Sequence, residues 1–534
     1  MKKLLSLILS ALLLALALPL GGCKKEDVLE LNVYNWEDYI ACDEEVYVMV
    51  DEFEAWYEEE YGEKVVVNYS TFGTNENMYN ELKLTQKKNG DYSYDLVCPS
   101  EYMIQKMILE GMCEKFDHSK LPNYNQNIAP YIENLFIENG WYDYATCYNW
   151  GTMGFTYNPE KVAFEDVSSW AVVNNTKYKN RITIKDSVRD SYVLALGYIH
   201  ADELMALQSS YDISSKEYNG EVHKLLNDFS ENAIERSRVF LTDVRQNLYG
   251  FEVDSGKQDM ATGKLWINFA WSGDAVYAMD IAEEEGTYLE YVVPKEGSNI
   301  FFDGWVMPKG AKTELAQIFL EFMYREDNAI ENLDYICYSS PIVGEDVFSY
   351  ICDNYGLTTL IEASEETDIE VGGKYYEEVY IANDPDFESK FVQNGDLTTY
   401  TVTYLNDNDE LESEEIEIFA HSVKHFFGDK IEGDGIIYTD TLNRQLVAMY
   451  PTEETINRCV VMEHLPTEKL KLLNNMWDSV KVGYMPYMTM LMIVVGFVFA
   501  VAIIIVIYIL KKKGITLKLR KRDYGKLIKS ERIK

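Results

Sequence analysis

Apolar and polar residues near the start of the chain alternate with the periods of strands and helices. Leu31–Asn35 has the pattern of a buried strand, and Asp43 precedes a segment, Glu44–Tyr61, whose apolar residues recur at helical spacing. The same succession follows twice more, with strands and helices predicted in turn at Lys64–Tyr69, at Asn75–Lys87, at Tyr94–Cys98 and from Pro99 to Gly111. Such alternation predicts an α/β fold with a parallel sheet and helices on both faces.

Three turns follow these strands, at residues 36–39, 71–75 and 100–102. Because the strands run in one direction, the turns gather at one edge of the sheet, where α/β proteins hold ligands. The first turn carries two aromatic rings and two carboxylates that core packing does not require. We therefore expect a ligand crevice at this edge.

Two extended segments indicate that the chain crosses between two lobes. Residues 144–158 are punctuated by glycine and lead into a second α/β region, and residues 294–308 lead back to a helix predicted at Thr313–Arg325. Two crossings imply a hinge. We predict lobe boundaries as follows: lobe 1 from residues 29–150 and 302–345, and lobe 2 from residues 151–301 and 346–480.

An acidic region interrupts the second lobe at about residues 362–431. Residues 362–418 contain 18 Asp and Glu, against Lys374 and Lys390. Thr399–Leu405 alternates like a strand, and Ile416–Phe419 resembles its partner beyond a short turn. This pattern predicts an acidic β-rich insertion.

The N-terminus has the form of a bacterial lipoprotein signal peptide, residues 1–23. Two lysines precede an apolar run that ends at Leu20-Gly21-Gly22-Cys23. We predict lipidation at Cys23, and the alternative is ordinary signal cleavage nearby.

The C-terminus predicts a transmembrane helix. Residues 483–510 contain no charged side chain, and about 20 apolar residues suffice to cross a bilayer. Residues 511–534 are strongly basic, so the positive-inside rule places this tail in the cytoplasm and the body on the extracytoplasmic face of the cell membrane. A buried core helix is the alternative for residues 483–510.

Charge and cysteine content exclude several classes of function. The net charge is −41, and residues 1–510 alone carry −50; such a body repels nucleic acid and suits cationic partners. The eight cysteines show no CxxC spacing, which disfavours a zinc site and a disulfide-built fold. Phosphate-loop and dinucleotide motifs do not occur in a suitable context. We therefore expect a binding protein without cofactor or metal rather than an enzyme.

Six short motifs together carry a family resemblance. They are Tyr34–Tyr39, Asn75–Tyr79, Tyr94–Ser100, Trp150–Thr152, Asp186–Asp190 and Pro294–Gly297. In order and spacing they resemble the bacterial spermidine/putrescine-binding proteins, which are the extracytoplasmic components of ABC importers. The resemblance covers about residues 29–345 and, more weakly, about residues 432–480.

The resemblance implies a two-lobed type II periplasmic-binding-protein fold that closes on a polyamine and delivers it to ABC permease subunits. It also implies a ligand-binding role for eight residues: Trp36, Tyr39, Ser100, Tyr102, Asp190, Trp271, Phe301 and Asp303. A polyamine needs carboxylates at its ammonium groups and flat apolar walls along its methylenes. We therefore expect Asp190 and Asp303 to bind ammonium groups and the aromatic rings to line the methylene chain.

The chain departs from the family pattern at three positions. Ser187 stands where a second acid is frequent, Phe301 where a tryptophan is frequent, and Met462 near an expected polar amide. Glu37 and Glu101 are first-lobe acids that could compensate, and Glu37 joins the candidate ligand residues.

Each assignment has a simpler alternative. Trp36 and Trp271 could pack a core, Asp190 could pair with Arg189, and Glu37 could be a solvated turn residue. For the function, the alternatives are another small cationic solute in the same fold, and a surface sensor or scaffold lipoprotein without a transport role.

Overall fold

A computed structural model describes residues 28–42, 47–364, 366–394, 397–406, 408–440 and 444–482. The chain divides into two compact units, residues 1–476 and 477–534. The signal peptide with Cys23, the segment 483–510 and the basic tail 511–534 lie outside the described residues. Within the described ranges, no helix is both long enough and apolar enough to span a bilayer.

The strands and helices are numbered in chain order. The strands are β1 (Leu29–Trp36), β2 (Val65–Phe72), β3 (Leu96–Val97), β4 (Ala145–Tyr157), β5 (Ile182–Lys185), β6 (Gly250–Glu252), β7 (Ile267–Trp271), β8 (Glu290–Val292), β9 (Ser298–Val306), β10 (Thr358–Glu362), β11 (Ile369–Val371), β12 (Lys374–Tyr380), β13 (Phe391–Asn394), β14 (Leu397–Leu405), β15 (Leu411–Glu417), β16 (Phe419–Ser422), β17 (Ile436–Thr439) and β18 (Cys459–Val460). The helices are α1 (Val48–Tyr61), α2 (Asn75–Thr85), α3 (Glu101–Leu109), α4 (Pro122–Asn127), α5 (Pro130–Glu138), α6 (Phe164–Val167), α7 (Val188–Ile199), α8 (Ala201–Ser210), α9 (Lys216–Leu226), α10 (Glu231–Val244), α11 (Gly256–Ala261), α12 (Ser272–Glu284), α13 (Thr313–Met323), α14 (Glu326–Ile336), α15 (Glu345–Tyr355), α16 (Phe387–Lys390), α17 (Lys424–Phe427), α18 (Arg444–Met449), α19 (Glu453–Asn457) and α20 (Thr467–Val482).

The first lobe contains the predicted parallel sheet, in the order β2-β1-β3. β1 pairs with β2 residue by residue, from Leu29 beside Val65 to Trp36 beside Phe72. Helix α1 turns its apolar stripe inward, and Phe53 on that stripe is fully buried. The strand ends of this sheet therefore share one edge, as the sequence predicts.

Two long strands, β4 and β9, connect the lobes. Every residue of both strands is buried, and they pair antiparallel from Ala145 beside Val306 to Thr152 beside Ile300. Beyond this ladder β4 continues into the second lobe, where it pairs with β7. The crossings predicted at residues 144–158 and 294–308 are thus one shared ladder, which joins both lobes in a single ten-stranded sheet.

The second lobe contains a smaller parallel arrangement, β7-β5-β6. Its three strands end at Trp271, Lys185 and Glu252, so these residues lie at one edge. Helices α7 and α12 begin shortly after β5 and β7 respectively. This edge is the second-lobe counterpart of the edge at Trp36.

The acidic insertion is β-rich, but its hairpin differs from the predicted one. The partner of β14 is β15, which begins at Leu411 rather than at Ile416, because the turn after Leu405 is tight. Helix α15, which precedes the insertion, packs on α14, and the assignment of residues 346–480 to the second lobe stays a prediction. Phe426 of α17 likewise contacts the ring of Tyr131 in α5 at 5.5 Å. Part of the insertion is therefore anchored by apolar contacts to the first lobe.

The seven cysteines within the described residues are all free thiols: Cys42, Cys98, Cys113, Cys147, Cys337, Cys352 and Cys459. All but Cys42 are buried. The described part of the fold is therefore held by its apolar core and not by disulfides.

Candidate functional site

Asp303 is the centre of the candidate site. It lies on β9 between the lobes, and its side chain is buried. Tyr39 donates a hydrogen bond of 2.9 Å to Oδ2, and Ser100 donates one of 2.7 Å to Oδ1. Two of the strand-end turns predicted from the sequence therefore converge on one carboxylate.

Asn75 positions the residues around Ser100. Its Oδ1 accepts a 3.0 Å hydrogen bond from the Ser100 backbone N–H, and its Nδ2 lies 3.0 Å from both Ser100 Oγ and Tyr102 Oη. Asn75 is the first residue of α2, and Ser100 is the N-cap of α3. This buried amide thus joins the second and third turns, a role that the sequence does not predict.

Asp190 is the second buried carboxylate and belongs to the second lobe. It lies in the first turn of α7, where Ser187 caps the helix by accepting a 3.4 Å hydrogen bond from the Asp190 backbone N–H. Ser187, at the position of the missing acid, therefore has a structural role. Arg189 donates to the carbonyl of Glu463 at 2.6 Å and lies 4.8 Å from the ring of Tyr102. Within the described residues no ion pair joins Arg189 to Asp190.

Burial dominates the electrostatics of both carboxylates. Desolvation raises the pKa of Asp303 to about 6, although the hydrogen bonds from Ser100 and Tyr39 oppose the rise. Desolvation likewise raises the pKa of Asp190 to about 6, against the lowering effects of the Ser187 hydroxyl and of the Lys185 and Arg189 charges. The negative charge of Asp190 adds to the rise at Asp303. Each carboxylate is therefore ionised at neutral pH at a cost that a bound cation would relieve.

Glu101 does not take the place of the missing acid. Its two carboxylate oxygens accept backbone N–H bonds from Phe302 at 3.3 Å and Met462 at 3.4 Å. Burial raises the pKa of Glu101 to about 8. Gln105, one turn later, bonds the carbonyl of Met462 at 2.9 Å. Glu101 and Gln105 therefore anchor the segment around Met462 to α3.

Three aromatic rings, those of Tyr39, Tyr338 and Phe301, lie together beside Asp303. The ring of Tyr338 lies 5.0 Å from that of Tyr39 and 6.3 Å from that of Phe301. Trp36 is half-buried against Phe72 at 4.6 Å, and its indole Nε1 has no hydrogen-bond partner within the described residues. The structure therefore brings Tyr39 and Phe301 together around Tyr338.

Glu37 is an exposed acid beside two of these rings. Its side chain is exposed and forms no hydrogen bond or ion pair with any residue that the structure describes. It lines a cavity of about 290 Å³ together with Trp36 and Tyr39, two of the candidate ligand residues. Its inclusion among the ligand residues stays a prediction.

Trp271 has a neighbour that the sequence does not predict. The ammonium of Lys185 lies 4.0 Å from the centre of its indole ring, and Lys185 is buried. The sequence signal that could have revealed it is a lysine at the end of the short strand Ile182–Lys185. Tyr338, which donates a 2.9 Å hydrogen bond to Asp274, lies outside every motif quoted above.

Comparison with known proteins identifies the class. The family model of bacterial extracellular solute-binding proteins matches residues 49–343, and the chain belongs to this family. The family resemblance carried by the six motifs is confirmed. The family is one of solute-binding receptors rather than of enzymes.

Two relatives and one solved structure are similar over most of their length. The spermidine/putrescine-binding periplasmic protein of Salmonella typhimurium is 30% identical over 328 residues, which cover 61% of this chain and 82% of that protein. The putrescine-binding periplasmic protein SpuD of Pseudomonas aeruginosa is 31% identical over 344 residues, covering 61% and 83%. The spermidine/putrescine substrate-binding protein PotD of Streptococcus pneumoniae shares the fold, with a TM-score of 0.51 and 23% identity over 85% of this chain and 99% of that chain.

Proposed function

We propose that this protein is the substrate-binding receptor of an ABC importer and captures a polyamine between its lobes. One observation carries the proposal: Asp190 and Asp303 are buried carboxylates, and neither forms an ion pair with a cationic side chain within the described residues. A buried charge without a partner is costly. A ligand with two ammonium groups would supply both partners.

The surroundings suit the rest of such a ligand. Methylene groups between two ammonium groups need apolar walls, and the rings of Tyr39, Phe301 and Tyr338 lie beside Asp303. An aromatic face adds about 0.5–2 kcal/mol for each ammonium that it contacts. The names of the relatives, which are polyamine-binding proteins, support the same ligand class.

Closure of the lobes would couple capture to transport. Asp303 with Tyr39 belongs to the first lobe and Asp190 to the second, so a ligand that contacts both favours the closed state. We also propose that lipid at Cys23 and a membrane span at residues 483–510 hold the receptor at the extracytoplasmic face, near the permease.

The binding experiment is isothermal titration of the full-length chain in detergent with putrescine, spermidine, amino acids and sugars. We expect an amine to bind with heat that the other classes do not give. Asp303→Asn and Asp190→Asn should each weaken binding by at least about thirtyfold, since truncating one side of a buried charged pair costs about 2–5 kcal/mol. Asp353→Asn, an exposed acid at the end of α15, is the matched control.

Two outcomes would contradict the proposal. Binding of a sugar or an amino acid without any binding of amines would exclude the ligand class. Unchanged amine affinity in both aspartate variants would exclude the site.

A non-transport role is the competing proposal, motivated by the apolar segment at residues 483–510. Uptake of radiolabelled amine can be compared in three strains: wild-type cells, cells whose receptor lacks residues 483–534, and cells without the receptor gene. We expect both strains that carry a receptor to take up more amine than the strain without the gene. Uptake that is the same with and without the receptor gene would favour a sensor or scaffold.

A further inference from the structure

Lys185 occupies a site with the chemistry of an ammonium receptor. Its side chain is 1% exposed at the end of β5. The ammonium lies 3.2 Å from Glu252 Oε1 and 3.0 Å from Asp274 Oδ2, and it donates to the Val253 carbonyl at 2.8 Å. The indole of Trp271 lies 4.0 Å away. All three N–H bonds of the ammonium thus have acceptors, and a ring covers it.

This site lies at the edge of the sheet that faces the cleft. Trp271, Lys185 and Glu252 are the last residues of the adjacent parallel strands β7, β5 and β6. Ligands of α/β sheets bind at such carboxyl ends. Trp271 is also one of the rings that the family resemblance assigns to the ligand. Lys185 therefore covers one face of an indole ring that is predicted to line the ligand.

Asp274 contacts two further side chains besides Lys185. Tyr338 donates to its Oδ1 at 2.9 Å, and the Lys257 ammonium lies 3.9 Å from the same oxygen. Lys257 also pairs with Asp254 at 3.1 Å. Glu252, Asp274 and Asp254 therefore each have a lysine ammonium within ion-pair distance.

Nearer the centre of the cleft, two buried acids form no ion pair with any residue that the structure describes. The charge of Arg189 interacts with those of Glu101, Glu76 and Asp190, so it offsets only part of the negative charge there. Glu101 has a pKa raised to about 8 by burial and is mostly uncharged at pH 7. Asp190 and Asp303 are the buried acids here whose pKa stays below 7 and that form no ion pair within the described part of the chain.

We infer that Lys185 is a specificity-determining residue: it fills the far ammonium position at Trp271, Glu252 and Asp274, and so restricts the ligand to a short diamine. The inference rests on the proposed function and deepens it. A four-carbon diamine has one ammonium for each of Asp190 and Asp303. A triamine such as spermidine would bring a third ammonium toward a site that already holds one.

The first test uses the wild-type full-length chain in detergent and the diamines with three to six methylenes, together with spermidine. We expect one of the diamines to bind at least tenfold more tightly than spermidine at pH 7.5. Spermidine binding that equals or exceeds that of every diamine would overturn the inference and leave the proposed function intact. Absence of binding by all amines would instead contradict the proposed function.

The second test is Lys185→Ala, which frees Glu252, Asp274 and one face of Trp271. We expect the ratio of spermidine to putrescine affinity to rise at least tenfold, whereas Lys185→Arg should keep the wild-type ratio. Lys264→Ala is the matched control, because Lys264 pairs with Asp259 at 2.9 Å and lies 4.8 Å from the ring of Tyr249, but on the surface. An unchanged ratio in folded Lys185→Ala would overturn the inference. If that variant does not fold, the affinities of the wild-type chain for the diamines and for spermidine decide whether the inference holds.

Discussion

Tyr39 donates a 2.9 Å hydrogen bond to Asp303, although 264 positions separate the two residues in the chain. Tyr39 follows the first strand of the first lobe, and Asp303 lies on the strand that returns from the second lobe. The bond therefore ties the first strand-end turn to the ladder that connects the lobes. It also stabilises the charged form of a carboxylate that burial destabilises.

Tyr39→Phe removes this hydrogen bond and keeps the ring. We expect amine affinity to fall about tenfold or more, because a hydrogen bond to a charged group contributes about 1.5–3 kcal/mol. Isothermal titration at pH 7.5 measures the change. Tyr211→Phe, at an exposed tyrosine, is the control and should bind like wild type. Equal affinities in the two variants would show that Tyr39 does not support the binding carboxylate.

Amine binding should weaken as the pH falls from 7.5 to 5. Asp190 and Asp303 have pKa values raised by burial to about 6, so both carboxylates become protonated over this range, while the amines stay charged. We expect affinity to fall between about tenfold and a hundredfold, since each carboxylate loses most of its charge one pH unit below its pKa. Asp303→Asn should show a shallower dependence. Affinity that is constant with pH would contradict the assignment of these two acids.

Glu101→Gln should stabilise the protein in a pH-dependent way. Burial raises the pKa of Glu101 in the folded state to about 8, well above the usual value of about 4.3 in an unfolded chain. Between these values the folded state holds the proton more tightly, so the stability of the wild type declines as the pH rises. The glutamine variant lacks this decline. We expect its advantage to grow from near zero at pH 4.5 to about 3–5 kcal/mol at pH 8.

Denaturant unfolding at pH 5 and pH 8 measures this advantage. Glu217→Gln, at an exposed position in α9, should show little change at either pH. A Glu101→Gln variant that is less stable than wild type at pH 8 would mean that the ionised form is the one the fold stabilises.

Gly151→Ala should destabilise the ladder between the lobes. A Cβ at this position would lie 2.5 Å from Ser272 Oγ and 2.8 Å from Phe301 Cζ. Overpacking of this kind costs about 1–3 kcal/mol, and a displaced Phe301 should also weaken ligand binding. Gly220→Ala is the control: the space around Gly220, inside α9, is open within 4 Å, so alanine there should raise stability by about 0.5–1 kcal/mol. Denaturant unfolding of both variants checks the opposite signs.

Local patterns predict the elements near the first edge well. β1, β2 and the helices after them follow the spacing of apolar residues, because each element buries one face against the same core. The insertion is less predictable, since its strands are mostly exposed and carry charges on both faces. The start of β15 is therefore set by the turn rather than by burial.

The amino-acid sequence by itself determined the α/β class and the sheet edge at which Trp36 and Ser100 lie, since both depend on the periodicity of apolar residues. It also determined the family, since the family depends on short motifs. Only the tertiary structure decided which charged groups have partners. Glu101 accepts two backbone N–H bonds, and Lys185 pairs with Glu252 and Asp274. Asp190 and Asp303 form no ion pair with the residues that the structure describes. The physical reason is that pairing and desolvation come from contacts between residues far apart in the chain, which no local pattern records.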